Sequence, residues 1–118
     1  MEEWQRDFEW LRVRHYIKDR LGRPDLPDLN AVLFLIGIQE LGYLKESFSK
    51  EEKQDLMHLA ICSLLSEDGH YEFVGRDADG WPHYKAVVPV QTRGVEEQER
   101  LLIEKAIRYF RPALDEEE

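Results

Sequence analysis

Residues 29–41, LNAVLFLIGIQEL, constrain the fold more than any other part of the chain. Wound as a helix, this stretch is apolar nearly all round, so it has to be covered on every side and belongs at the centre of a helical bundle. The apolar residues are almost continuous only from Ala31 to Ile38. About 20 would be needed to cross a bilayer, so a buried helix is expected rather than a membrane span. Asp28, after Pro27, is placed to cap its start, and Gly42 to close its end in a left-handed conformation. Gly37 inside it leaves room for the backbone of a neighbouring element to come close.

The remaining elements can be laid out around that helix. Glu2 to about Leu21 reads as a first helix, ended by Gly22 and spaced from the next element by Pro24 and Pro27. Ser49-Lys50-Glu51-Glu52 has the spacing of a capping box and precedes the stripe Met57, Ala60, Ile61, Leu64 and Leu65, which predicts a third helix stopped by Glu67-Asp68-Gly69. Two short β patterns follow, Tyr71–Val74 and Tyr84–Val88, joined by the turn residues Arg76-Asp77-Ala78-Asp79-Gly80 and bounded by Pro82 and Pro89. Val95 to Phe110 forms a last helix, with Pro112 expected beyond its end and residues 112–118 expected as a frayed acidic tail. The expectation is a single domain over residues 1–118, of α+β class and mainly α. It has four helices, with one antiparallel hairpin between the third and the fourth.

The first helix has more apolar surface than one packing partner needs. Trp4, Phe8, Leu11 and His15 lie near one azimuth, while Trp10, Val13, Ile17 and Leu21 lie roughly 140° away. Either the helix is sandwiched within its own chain, with the hairpin as the second cover, or one stripe pairs with a second copy. A symmetric homodimer could use either stripe. The candidate interaction surface is Trp4, Phe8, Trp10, Val13 and Ile17, joined by Trp81 at the tip of the hairpin.

Charge narrows the partners. The chain of 118 residues carries a net charge of −9, and no segment of it is basic: residues 51–75 hold one positive and six negative groups, residues 95–118 four and eight. On the first helix Arg6, Arg12, Arg14, Lys18 and Arg20 scatter around the axis instead of forming a stripe. Phosphate contacts supply most of a protein's affinity for nucleic acid, so neither nucleic acid nor an anionic membrane is expected as a partner. The single cysteine, Cys62, cannot form an intramolecular disulfide, and charges interrupt the first twenty residues where a signal peptide needs a continuous apolar core; a cytoplasmic setting is expected.

Candidate chemistry is sparse. On the third helix Glu51, Asp55, His58 and Cys62 fall within about 60° of one another, all capable metal ligands. Asp55 and His58 have the i, i+3 spacing used in carboxylate-bridged dimetal bundles, but such sites need a second pair. The residues three positions before His15, His70 and His83 are Arg12, Glu67 and Gly80, and the Glu67 pair straddles the Asp68-Gly69 break. His58 and Cys62 at i, i+4 could touch, yet no third residue is evident to orient the imidazole for a thiol nucleophile. The expectation is therefore a solvated helix flank with no metal, cofactor or catalytic residue, and Asp55, His58 and Cys62 as the alternative site. Asp77-Ala78-Asp79-Gly80 fails as an EF-hand loop, because with Gly80 at position six the first and twelfth ligands would be Gly75 and Ala86.

The order helix, helix, helix, hairpin, helix, together with Leu64-Leu65-Ser66-Glu67-Asp68-Gly69-His70-Tyr71 leading into the hairpin, resembles a winged-helix domain with an added dimerisation helix over about residues 29–90. That resemblance implies DNA binding through the third helix. Glu51, Glu52 and Asp55 at its start would face phosphate, so an acidic relative of that kind would bind proteins instead. The leading expectation is a small non-enzymatic protein that acts through protein contacts and self-associates. The alternatives are a winged-helix-like regulator, and a small enzyme or ligand-binding protein with a pocket between hairpin and helices using His58, Cys62, His83 or Asp79.

Overall fold

A computed structural model describes residues 1–116. It contains α1 (Glu3–Leu21), α2 (Leu29–Leu41), α3 (Lys50–Ser66), β1 (Tyr71–Arg76), β2 (Pro82–Ala86) and α4 (Gly94–Glu116). The described residues are therefore mainly α, with a two-stranded antiparallel hairpin between the third and fourth of four helices. None of those helices is long and apolar enough to cross a membrane. Two compact units result. One comprises Met1–Val32 with the segment from Thr92 onward, the other Leu33–Gln91.

The helix ends follow the chemistry of their caps. Gly22 closes α1 in the left-handed region with φ 63°. At the start of α2 the Asp28 carboxylate accepts from the Ala31 amide at 2.9 Å, and Gly42, at φ 91°, donates to the Ile38 carbonyl at its end. The α3 box is reciprocal: Ser49 Oγ accepts from the Glu52 amide at 3.1 Å while Glu52 Oε1 accepts from the Ser49 amide at 3.0 Å. An ion pair with Lys45, which is also the largest influence on it, holds the Glu52 carboxyl below the usual carboxylate range.

In the first unit α1 packs on α4, with Val13 and Ile17 buried on α1 and Leu102, Ala106, Ile107 and Leu114 buried on α4. Tyr16 and Phe110 meet with ring centroids 6.4 Å apart, and Arg14 Nε donates to the Pro27 carbonyl at 2.7 Å, fixing the loop that leaves α1. The last helix corrects the sequence reading. It does not stop at Phe110, and residues 112–116 of the expected frayed tail are helical, with Pro112 inside the helix. Residues 117 and 118 lie outside the described residues. Leu114 explains the continuation: it stands seven positions after Ile107 and four after Phe110, on the same apolar stripe, and is buried. Burying it is worth about 2 kcal/mol, comparable with the roughly 3 kcal/mol that an interior proline costs.

In the second unit Leu41, Leu56 and Leu59 are buried together, with Phe34, Ile38, Phe48, Trp81 and Tyr84 packed against them. The buried face of α3 is wider than the sequence stripe: Leu56, Leu59 and Cys62 are buried with Ala60, Leu64 and Leu65, whereas Met57 and Ile61 are only half-buried. Gly37 sits where a Cβ would lie 2.1 Å from the Leu56 carbonyl oxygen, so the backbones of α2 and α3 touch at this point. Strand pairing runs from Tyr71 opposite Ala86 to Arg76 opposite Pro82, with a bulge between Phe73 and Gly75 that takes Gly75 to φ 123°. The second strand accordingly starts at Pro82 but ends at Ala86, short of the expected Val88.

Arg76 at the end of β1 fastens the hairpin to α2. Its Nη1 donates to the carbonyls of Leu41 and Gly80, both at 2.8 Å, and its Nη2 to the carbonyl of Glu40 at 3.0 Å. The guanidinium thus satisfies helix-end carbonyls that have no partner inside α2, a fork that lysine cannot reproduce. Arg76→Ala and Arg76→Lys are both expected to lower stability by about 2 kcal/mol, read from urea unfolding. Full stability in Arg76→Lys would show that charge alone suffices.

Candidate functional site

The two apolar stripes of α1 have different fates. Val13 and Ile17, expected as part of an interaction surface, are buried at 0% and 3% exposure, and Trp10 is half-buried, so that stripe is spent within the chain. Leu21, at its end, stays exposed. The other stripe is open to water: Trp4 is 68% exposed, Phe8 58% and Leu11 42%. His15 is exposed on the same face. Of the candidate surface, Val13 and Ile17 are thus buried, Trp10 and Trp81 are half-buried, and Trp4 and Phe8 stay open, with Leu11 exposed beside them on the same stripe.

Hollows flank the open stripe. A cavity of about 390 Å³ lies between α1 and the end of α4, lined by Phe8, Leu11, Arg12, His15, Tyr16 and Leu114 among others. A second, of about 310 Å³, is lined by Met1, Trp4, Gln5, Phe8, Glu9 and Arg111. Phe8 borders both. Projecting aromatic rings and empty grooves therefore alternate along one face, and its rim carries both signs of charge, with Arg12 paired to Glu9 at 3.2 Å. The sequence pattern displayed the stripe but not the grooves, because their far walls come from Arg111 and Leu114, beyond the point where the last helix was expected to stop.

A separate site lies in the second unit. Asp55, His58 and Cys62 on α3 do share one face, and that face meets the hairpin across a cavity of about 250 Å³ whose other walls are Leu59, Trp81, Pro82, His83 and Tyr84. Cys62 is buried rather than on a solvated flank, its Sγ 3.6 Å from His58 Nε2. Burial pushes the thiol pKa up, which keeps it protonated at neutral pH and opposes a nucleophilic role. Among the described residues no three His, Cys, Asp or Glu side chains are placed to share a metal ion. Trp81 is half-buried against the Leu41, Leu56 and Leu59 cluster, so it covers the core and lines the cavity at once.

Asp77 organises the rim of this cavity. Its Oδ1 accepts from the amides of Asp79 at 2.9 Å and Trp81 at 3.0 Å, and its Oδ2 lies 2.8 Å from His83 Nε2. Asp79, the residue expected here, instead accepts the Tyr43 hydroxyl on its backbone carbonyl. The hairpin register sets Gly75 opposite His83 and Arg76 opposite Pro82, so Asp77 opens the turn two residues beyond the partner of His83 and its carboxylate reaches the imidazole diagonally.

The His83 hydrogen bond first, and the Trp81 amide second, hold the Asp77 carboxyl below its usual value of 3.8. A depressed folded-state pKa stabilises the turn above the ordinary carboxylate range and is lost as pH falls through the lowered value. The Asp79 and Trp81 amide resonances should therefore shift together with a midpoint below pH 3.8, while stability above pH 5 stays flat with respect to this group. A midpoint at or above the ordinary value would contradict the arrangement.

Comparison with protein-family models, curated proteins and solved structures gives no match. The winged-helix resemblance therefore stands on the order of the elements alone.

Proposed function

We propose that this protein is a non-enzymatic interaction module that self-associates, pairing the Trp4, Phe8 and Leu11 face of α1 with the same face of a second copy. The observation that carries the reading is the exposure of those three side chains on one azimuth beside two open grooves. A closed two-fold pair needs a patch complementary to itself, and this face has both projections and hollows. Its rim residues of opposite sign, Glu9 and Asp19 against Arg12 and Arg111, can be set opposite one another by a two-fold axis.

Area supports the reading and limits the geometry. Trp4 and Phe8 together leave roughly 300 Å² in water at their present exposure, and a specific interface buries about 800 Å² per partner. Met1, Leu11 and the groove walls have to be covered as well. The pair is thus built from α1 and the last turns of α4.

Sedimentation equilibrium over the micromolar range should return twice the chain mass of 14.1 kDa. A monomer at every accessible concentration would overturn the reading.

A further inference from the structure

We infer that the cavity between α3 and the hairpin binds a small organic cation, an amine or a quaternary ammonium group. The inference is independent of self-association, since every residue it uses lies in the Leu33–Gln91 unit. The lining sets the class of ligand. Asp55 is the one formally charged side chain among the lining residues, and neither lysine nor arginine is among them. Glu51 stands one turn before Asp55 on the same helix, and residues 51–75 hold six acidic groups against one basic. Asp55 therefore supplies the formal charge of the lining, which disfavours anions and attracts cations.

Two half-buried aromatic side chains, Trp81 and Tyr84, form part of the wall, and ring faces attract an ammonium ion. Leu59, Cys62 and Pro82 are buried and add apolar wall beside the polar groups of Asp55, His58 and His83. A cation with methyl groups satisfies both surfaces, whereas a bare metal ion lacks the cluster of ligands it needs. The volume of about 250 Å³ falls below the roughly 300 Å³ at which pockets for drug-sized ligands begin, which suits one small head group. The Asp77 to His83 hydrogen bond fixes His83 at the rim, and the Asp77 bonds to the Asp79 and Trp81 amides fix the backbone that carries Trp81.

The test is a titration of the full chain with tetramethylammonium chloride, followed by the indole N–H resonance of Trp81, which Trp81→Phe identifies. Sodium chloride at equal ionic strength and sodium phosphate serve as comparisons. A saturable shift with Kd of about 1 mM or tighter is expected, absent with either sodium salt. Asp55→Asn, at an exposed position on α3, should weaken binding about tenfold while the hairpin amide resonances keep their wild-type positions. Three results would overturn the inference: a shift that never saturates, equal binding by Asp55→Asn with its hairpin intact, or the same shift with phosphate.

Discussion

Gly37→Ala is expected to lower the unfolding free energy by about 3 kcal/mol, and the melting temperature by roughly 10 °C, although alanine is the better helix former. The added methyl would stand 2.1 Å from the Leu56 carbonyl oxygen and 2.7 Å from its carbon. Those are backbone atoms inside α3, so no side chain can rotate away; the helices must separate, and Leu56, fully buried, loses its packing. Helix propensity would return at most about 1 kcal/mol. Gly22→Ala makes the contrast, because nothing lies within 4 Å of a Cβ there and only the φ of 63° is strained. It should cost about 1 kcal/mol. A Gly37→Ala protein as stable as wild type would mean that α2 and α3 do not touch at this point.

The second large effect is on association. Phe8→Glu with Leu11→Glu removes two exposed apolar side chains per copy, four per pair, each worth about 1.5–3 kcal/mol when buried, and sets like charges across the two-fold axis. Both side chains are already about half covered, so about half of that burial is at stake, and self-association should weaken by at least about 100-fold while the far-ultraviolet helical signal is kept. Ile17→Glu gives the opposite result. Ile17 is 3% exposed, so that substitution should unfold the first unit rather than dissociate a folded pair. A double variant that remains associated would place the contact elsewhere.

Much of the fold was legible because local chemistry and tertiary packing agree. The caps at Asp28 and Ser49, the glycines at 22 and 42, and the turn around Asp77 each specify their local structure by a hydrogen bond or a left-handed backbone, and each is found. Gly37 was legible for a different reason: a glycine inside an apolar helix costs stability unless something comes close to it. The end of α4 was not legible, since proline usually breaks a helix and the burial of Leu114, which offsets much of that cost, depends on tertiary packing. Periodicity likewise separated the two stripes of α1 but could not tell which one α4 would cover.

The candidate sites were read only in part, for a related reason. The face of Asp55, His58 and Cys62 is a helical pattern, visible in one segment. Its union with Trp81, His83 and Tyr84 depends on how the hairpin lies on α3, and no local signal encodes that. Cys62 illustrates the difference. Its neighbours in sequence suggest a flank, but the hairpin and the breadth of the α3 core face bury it. The Arg76 fork was missed altogether, because two of its three acceptors are backbone carbonyls 35 and 36 residues earlier.

The claim that one face of α1 meets its own copy is tested most directly by a distance. A spin label at His15→Cys, in a chain with Cys62→Ser, sits on the exposed edge of that face. The helix has 19 residues and is about 28 Å long, so two labels on paired faces lie within about 30 Å of each other, inside the range of pulsed dipolar spectroscopy. The account predicts a narrow intermolecular distance below that length, abolished by Phe8→Glu with Leu11→Glu. No dipolar coupling at concentrations where the chain sediments as a dimer would contradict it.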